Sequence, residues 1–107
     1  PPLPPAVPRC IVNLDLVLVL DRSGSMNTGT VVADVRSLGL SLIDQFELQE
    51  GVSRISVVEF SSTARTVTAL TSNRKDIRDA ILQYDTPSGS TNMGAGLLLA
   101  QQEIVNG

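Results

Sequence analysis

The sequence predicts an α/β fold: a doubly wound (Rossmann-like), mostly parallel sheet with an antiparallel edge strand and helices on both faces. Residues 16–20 (LVLVL) are all apolar, and a strand that is apolar on both faces is typical of the centre of a helix-covered sheet. Apolar residues at helical spacing follow between positions 31 and 46. With the later segments, the order is strand, helix, strand, strand, helix, loop, helix, which favours a layered α/β domain.

The first strand is predicted over residues 11–20 and is followed by a long amphipathic helix. Thr28 or Thr30 is expected to cap this helix, which should end near Gly51. Polar side chains fall mainly on its other face. The apolar stripe that the spacing predicts consists of Val31, Val32, Val35, Leu38, Leu42, Ile43 and Phe46.

A hairpin and a second helix are predicted next. Residues 54–60 form the second strand, and residues 64–70 pair with it as an antiparallel strand at the sheet edge. Asn73 is expected to cap the helix that follows, with Asp76 at its third position near the positive end of the helix dipole. The buried stripe of this helix is predicted to be Ile77, Ala80, Ile81 and Tyr84.

A polar loop over residues 86–92 leads into the last predicted helix, which begins near Met93 or Gly94. The first strand needs a neighbour on each side, whereas the hairpin supplies strands on one side only. We therefore expect the C-terminal strands of the fold to be missing from this chain. The last helix is predicted to run through Leu97, Leu98, Gln101, Ile104 and Val105.

The composition fits one small domain preceded by a linker. The 107 residues are 42% hydrophobic but only 3% aromatic, so an aliphatic core is expected. The proline-rich start predicts an extended linker over residues 1–10, which leaves residues 11–107 as the domain. The net charge of −3 argues against a nucleic-acid partner. The chain has no run of 18 apolar residues, so no insertion into a membrane is expected.

Cys10 is the single cysteine of the chain. It is either an inert or buried thiol or one half of a disulfide whose partner lies outside these residues. The disulfide requires an oxidising compartment. A catalytic thiol is not expected, because the chain has no histidine that would activate it.

Three oxygen-bearing side chains follow the first strand directly. Asp21, Ser23 and Ser25 stand two residues apart, and Gly24 lets the backbone turn tightly between them. In open α/β sheets this end of a strand is where ligands bind, and closely spaced oxygens suit a hard cation such as Mg²⁺, Mn²⁺ or Ca²⁺. A single carboxylate does not neutralise a divalent ion, so the ion would accept a further anionic oxygen from a partner. The alternative is that these side chains only satisfy loop amides.

A second polar loop, residues 88–92, offers another hydroxyl at Thr91 just before the last helix. Thr91 is either a ligand of the same ion or the cap of that helix, and the two roles are compatible. Glu59 is a weaker candidate for an acceptor behind the site. Arg22 is expected to be exposed to solvent, with contact to an acidic partner as the alternative.

The residues around both loops resemble a known family. VLVLDRSGSM at residues 17–26, ISVVEF at 55–60 and SGSTNMGAGL at 88–97 are similar to the metal-ion-dependent adhesion site of von Willebrand factor type A domains. The chain is thus identified as the N-terminal part of such a domain. The resemblance implies that Asp21, Ser23, Ser25 and Thr91 hold the metal ion. The family's further aspartate lies after the next strand, in a segment that this chain lacks.

The resemblance also bears on Cys10, which is similar to the terminal cysteine that extracellular members of the family pair with one after the last helix. Extracellular or cell-surface placement is therefore expected, with an intracellular complex as the alternative. Membership in a larger multidomain or polymeric assembly fits the same expectation.

Two functions are compatible with the sequence. The first is a metal-dependent adhesion or assembly module, in which Mg²⁺ (or Mn²⁺ or Ca²⁺) grips an Asp or Glu of a protein partner. The second is a structural packing domain of an extracellular fibre or matrix that binds no ligand through metal. An enzyme is not expected, because the chain lacks histidine and the phosphate-binding pattern G-x-x-x-x-G-K-[ST].

Overall fold

A computed structural model describes residues 14–48, 52–85 and 88–106. The predicted linker over residues 1–10, with Cys10, lies outside the described residues. The order of elements agrees with the predicted order. The elements are β1 (Leu14–Asp21), a 3₁₀ turn (Gly24–Met26), α1 (Val31–Ile43), β2 (Ser53–Phe60), β3 (Ala64–Thr71), α2 (Arg74–Leu82) and α3 (Met93–Asn106).

The three described strands form one mixed sheet in the order β1-β2-β3. β1 and β2 are parallel, with Leu14 opposite Ser53 and Asp21 opposite Phe60, whereas β2 and β3 are antiparallel. The predicted α/β class with an antiparallel edge strand is confirmed. Within the described residues β2 is the central and most buried strand, while β1 is half-buried and has a partner along one edge only.

The helices lie on both faces of the sheet. α1 and α2 cover one face, where they pack on Ile55 and Val57 of β2. α3 covers the other face, where Gly96 contacts Phe60 of the same strand. Alternate residues of β2 point to opposite faces and so serve both layers. The aliphatic core lies under α1 and α2, as the composition predicted. Its buried residues are Ile43, Ile55, Val57, Ile77, Ala80 and Ile81.

The first helix is shorter than predicted. α1 ends at Ile43 rather than near Gly51, and Phe46 lies beyond its end. The guanidinium of Arg74, at the start of α2, donates to the carbonyl oxygens of Ile43 (2.8 Å) and Phe46 (2.8 Å). These bonds tie the start of α2 to the end of α1, where the Ile43 carbonyl oxygen also accepts from the N–H of Phe46 (3.3 Å).

The buried face of α1 also differs from the predicted stripe. Leu38, which was assigned to the stripe, is 72% exposed, and its neighbour Gly39 is buried instead. A Cβ atom at Gly39 would lie 3.0 Å from the side chain of Ile81, so the absence of a side chain allows α1 and α2 to approach closely. This close approach rotates Leu38 away from the core.

Asn73 caps α2 as predicted: its side-chain oxygen accepts hydrogen bonds from the backbone N–H groups of Lys75 and Asp76. The predicted stripe of α2 is confirmed, since Ile77, Ala80, Ile81 and Tyr84 are all buried. Tyr84 lies just after the last residue of the helix.

α3 begins at Met93 as predicted, and small residues make its contact with the sheet. Gly96 and Ala100 are its buried residues, and a Cβ atom at Gly96 would lie 2.8 Å from the ring of Phe60. The large apolar residues lie elsewhere on the helix. Those that are exposed include Leu97, Leu98, Ile104 and Val105.

No helix in the described ranges is both long enough and apolar enough to cross a membrane.

Candidate metal centre

The first loop, defined here as residues 21–26, leaves the sheet at the carboxyl end of β1. Two bonds fix the point where it leaves. The backbone N–H of Arg22 donates to the carbonyl oxygen of Phe60 (2.7 Å), and the hydroxyl of Tyr84 donates to the carbonyl oxygen of Asp21. Burial, with the nearby charges of Asp21 and Glu59, raises the pKa of the Tyr84 phenol above its ordinary value of 10.0, so Tyr84 remains a donor at neutral pH.

The side chains of the first loop converge on one another. The backbone N–H and the hydroxyl of Ser23 both donate to Asp21 Oδ1, at 2.8 Å and 2.5 Å. The hydroxyl oxygens of Ser23 and Ser25 are 3.1 Å apart. Ser23 is fully buried, whereas Ser25 lies exposed in the 3₁₀ turn. The structure thus brings three of the four predicted ligand residues into one cluster, in which Asp21 also satisfies a loop amide.

The chemistry of this cluster fits a hard divalent cation. It offers one carboxylate and two hydroxyl groups, all oxygen donors of the type that Mg²⁺, Mn²⁺ and Ca²⁺ prefer. A hydroxyl that donates its proton to Asp21 keeps lone pairs that face elsewhere. In the described part of the chain there is no group of three or more His, Cys, Asp or Glu side chains that could hold a metal ion. A cation here would therefore depend on the serine hydroxyls.

The second loop, defined here as residues 88–92, packs against the first through its backbone. The N–H of Ser88 donates to the carbonyl oxygen of Arg22 (3.0 Å), and the N–H of Gly24 donates to that of Gly89 (2.9 Å). Gly89 has a φ of +88°, and a Cβ atom there would lie 2.8 Å from Ser62 Oγ. Glycine is needed at this position because both the backbone conformation and the available space exclude a side chain.

Thr91 lies on the second loop between two residues that are bonded to the β2–β3 turn. The N–H of Ser90 donates to Ser62 Oγ (3.1 Å), and that of Asn92 donates to the carbonyl oxygen of Ser61 (2.7 Å). Thr91 is exposed, and within the described residues its hydroxyl makes no hydrogen bond, including to the cluster in the first loop.

The alternative interpretation of Thr91 as the helix cap is wrong. Asn92 occupies the cap position of α3, where its side-chain oxygen accepts from the N–H of Ala95 (3.1 Å). The second loop therefore packs on the first at Ser88 and Gly89 and leaves the Thr91 hydroxyl unused by the helix.

A buried carboxylate, Glu59, lies behind the two loops and is paired with more exposed arginines. Glu59 is only 2% exposed, and its Oε2 atom accepts from Arg65 Nη2 (3.1 Å) and lies 4.0 Å from Arg22 Nε. Its Oε1 atom is buried and has no hydrogen-bond partner among the described residues. Sequence reasoning identified Glu59 as an acceptor behind the site but missed Arg65, which lies opposite Glu59 across the β2–β3 pair. The hairpin register was the signal that could have found it.

The family is settled by a model of the von Willebrand factor type A domain, which matches residues 15–107. The chain belongs to the von Willebrand factor type A family. The resemblance inferred from the two loops and the ISVVEF strand is thereby confirmed.

Solved structures agree with this assignment. An uncharacterised membrane-spanning protein from Vibrio fischeri is 26% identical, with a TM-score of 0.75, over 88% of this chain and 50% of its own. Proximal thread matrix protein 1 from the mussel byssus, whose metal-ion-dependent adhesion site holds zinc, is 27% identical with a TM-score of 0.77, over 89% of this chain and 26% of its own. The von Willebrand factor domain of the pilus tip protein Mfa5 from Porphyromonas gingivalis shares the fold at 22% identity, with a TM-score of 0.78, over 92% of this chain and 34% of its own.

The chain therefore spans half or less of the length of each of these three proteins. Two of the three are named as a thread matrix protein and a pilus tip protein, that is, as parts of fibres or pili.

Proposed function

We propose that this von Willebrand factor type A domain is a metal-dependent protein-binding module for adhesion or assembly. Asp21, Ser23 and Ser25 would hold Mg²⁺ (or Mn²⁺ or Ca²⁺), with Thr91 contributing from the second loop. The observation that carries the proposal is the cluster at the carboxyl end of β1, in which the Ser23 hydroxyl donates to Asp21 and lies 3.1 Å from the Ser25 hydroxyl. The ion would supply an electrophilic centre for an oxygen ligand.

The charge of the cluster favours an acidic partner. Asp21 is the only acidic side chain among the proposed ligands, so a divalent ion would keep a net positive charge of about one unit. A carboxylate from Asp or Glu of a partner protein would neutralise it and complete the coordination.

The location of the protein and the kind of assembly it belongs to are proposed from the solved structures that it resembles. Because solved relatives include a pilus tip protein and a byssus matrix protein, we infer extracellular or cell-surface placement in a multidomain or polymeric assembly. An intracellular complex is the alternative. In the same setting, residues 1–10 would act as a linker and Cys10 would pair with a cysteine outside residues 1–107. We assign no catalytic activity to this domain.

Calorimetric titration of the intact protein with Mg²⁺ and Mn²⁺ tests the metal site. The Asp21→Ala variant should lose measurable binding, because it removes the only carboxylate of the cluster. Asp79→Ala is the matched control, since Asp79 is an exposed carboxylate on α2 whose ion pair with Lys75 contributes little. Equal metal affinity of the wild type and Asp21→Ala would refute the proposal.

The second candidate function is structural packing without metal-dependent binding. It is favoured by the hydrogen bonds from Ser23 to Asp21, which close the first loop without any ion. Under this function, assembly of the intact protein would survive EDTA unchanged. Loss of assembly in EDTA, with recovery on adding Mg²⁺, would exclude it.

A further inference from the structure

A small charged pocket opens beside the two loops. It has a volume of about 80 Å³ and is lined by Arg22, Glu59, Phe60, Ser61, Thr63 and Arg65. A water molecule occupies about 30 Å³ in the liquid, so the pocket has room for two or three waters or for one side-chain head group. It is far smaller than a pocket for an organic cofactor, which needs about 300 Å³ or more.

The charges of this pocket favour an anion. Two guanidinium groups face one carboxylate, so the lining carries a net charge of +1 although the whole chain carries −3. Glu59 does not cancel both cations, because Arg65 and Arg22 approach the same oxygen, Oε2. The side chain of Arg65 is 60% exposed, and its Nε and Nη2 atoms both donate to Glu59 Oε2 (3.2 and 3.1 Å). These bonds anchor the guanidinium, and its other edge, Nη1 with Nη2, is suited to a second carboxylate.

The remaining lining groups are consistent with an oxyanion ligand. Ser61 and Thr63 bring hydroxyl groups, which can donate to an anion, and Phe60 forms an apolar wall. A ligand with an ammonium or guanidinium group would instead meet the positive charges of Arg22 and Arg65. The pocket should therefore favour a negatively charged ligand group over a positively charged group of similar size.

The pocket adjoins both loops of the candidate metal centre. Arg22 belongs to the first loop and stands between Asp21 and Ser23. Ser61 and Thr63 flank Ser62, whose hydroxyl oxygen accepts from the N–H of Ser90 on the second loop. A partner segment bound at the metal centre would thus pass close to the pocket.

We propose that this pocket binds a second carboxylate of the same acidic partner segment, so that the domain recognises two acidic residues rather than one. The second carboxylate lies against Arg65, with Arg22 and the Ser61 and Thr63 hydroxyls beside it. This inference rests on the proposed function for the partner's first carboxylate, but the pocket itself requires no metal ion.

The pocket is tested first without metal. The intact protein, labelled with ¹⁵N at arginine and held in EDTA, is titrated with acetate, methylammonium and inorganic phosphate while the Arg65 Nε–H signal is followed. Acetate should give a saturable shift and methylammonium none. Arg65→Lys keeps the positive charge beside Glu59 but removes the fork, so it should weaken acetate binding about two- to fivefold. Because this variant lacks the Arg65 signal, binding to it is followed at the Nε–H of Arg22, which also lines the pocket. Arg78→Lys, an exposed position on α2, is the matched control and should change nothing.

The partner is tested with blocked glycine-rich peptides that contain one aspartate, or one aspartate and a glutamate one to four residues away. In Mg²⁺, at least one two-acid peptide should bind more tightly than the one-acid peptide, and Arg65→Lys should remove that advantage.

No saturable acetate shift in EDTA would overturn the inference even if Mg²⁺ binds. Phosphate binding more than tenfold tighter than acetate, with no advantage for two acids, would also overturn it and identify the pocket as an inorganic-anion site. Saturable acetate binding together with no Mg²⁺ affinity would refute the proposed function and leave the pocket standing.

Discussion

The first loop is held by bonds between its own side chains, whereas the second loop is held by contacts to the first loop and to the β2–β3 turn. In the first, Ser23 is fully buried and donates twice to Asp21. In the second, the backbone of Ser88 and Gly89 is fixed on the first loop, while Thr91 stays exposed. The difference indicates that the candidate ligands of the first loop are preorganised in side-chain geometry. Thr91, the candidate ligand of the second loop, is fixed only through its neighbours, which leaves its side chain able to adjust to a ligand.

The largest expected effect is on the backbone of the second loop. Gly89→Ala should destabilise the fold by about 2–4 kcal/mol, because a side chain is strained at this φ and would also collide with Ser62. Gly29→Ala is the control: its φ is also positive (+52°), but a Cβ atom there would meet no other atom within 4 Å. It should show only the backbone cost of about 1–2 kcal/mol. Urea unfolding measures both, and equal losses would show that the contact with Ser62 does not hold the loop.

The next effect concerns the side chains of the first loop. Ser23→Ala should cost about 1–3 kcal/mol, because it removes a buried hydroxyl that donates to Asp21. Ser25→Ala, at an exposed position, should change stability by about 0.5 kcal/mol or less. Chemical denaturation in EDTA isolates this effect from metal binding. If the two variants are equally stable, side-chain bonding does not preorganise the first loop.

A smaller effect is expected at the base of the first loop. Tyr84→Phe should lose about 1 kcal/mol at pH 7, because the carbonyl oxygen of Asp21 loses a donor. The pKa of Tyr84 is raised in the folded state, so this contribution is complete below the unfolded pKa of about 10 and is lost as pH rises through the folded pKa. The wild type should therefore lose its advantage over Tyr84→Phe above about pH 10. Unfolding curves at pH 7, 9 and 11 check this, and a stability difference that is constant with pH would contradict it.

The sequence predicted the elements and the first loop because both depend on local patterns. Alternation, helical spacing, the Asn73 cap and the Asp21-x-Ser-x-Ser spacing are all readable over a few residues. The predicted end and the predicted buried face of α1 were wrong because each is decided by a distant residue, Arg74 and Ile81 respectively. The buried face of α3, which was not predicted, depends in the same way on Phe60. The pairing of Glu59 with Arg65 was missed because it depends on the position of the β2–β3 turn: counted from Phe60 opposite Ala64, the next pair is Glu59 and Arg65.

The smallest effect on stability, and the sharpest test of the comparison, is expected at Thr91. Thr91→Val keeps the shape of the side chain and should change the free energy of unfolding by no more than about 0.5 kcal/mol, since the hydroxyl is exposed and Asn92 caps α3. If the hydroxyl is a ligand, Mg²⁺ affinity should nevertheless fall about tenfold, as for the loss of one oriented oxygen. Asn92→Ala should do the reverse: it should destabilise α3 by about 1 kcal/mol and leave Mg²⁺ affinity nearly unchanged. Calorimetry and urea unfolding of the two variants separate the roles, because adjacent residues with opposite phenotypes cannot arise from a general loosening of the second loop. A Thr91→Val variant with wild-type Mg²⁺ affinity would restrict the candidate centre to the first loop alone.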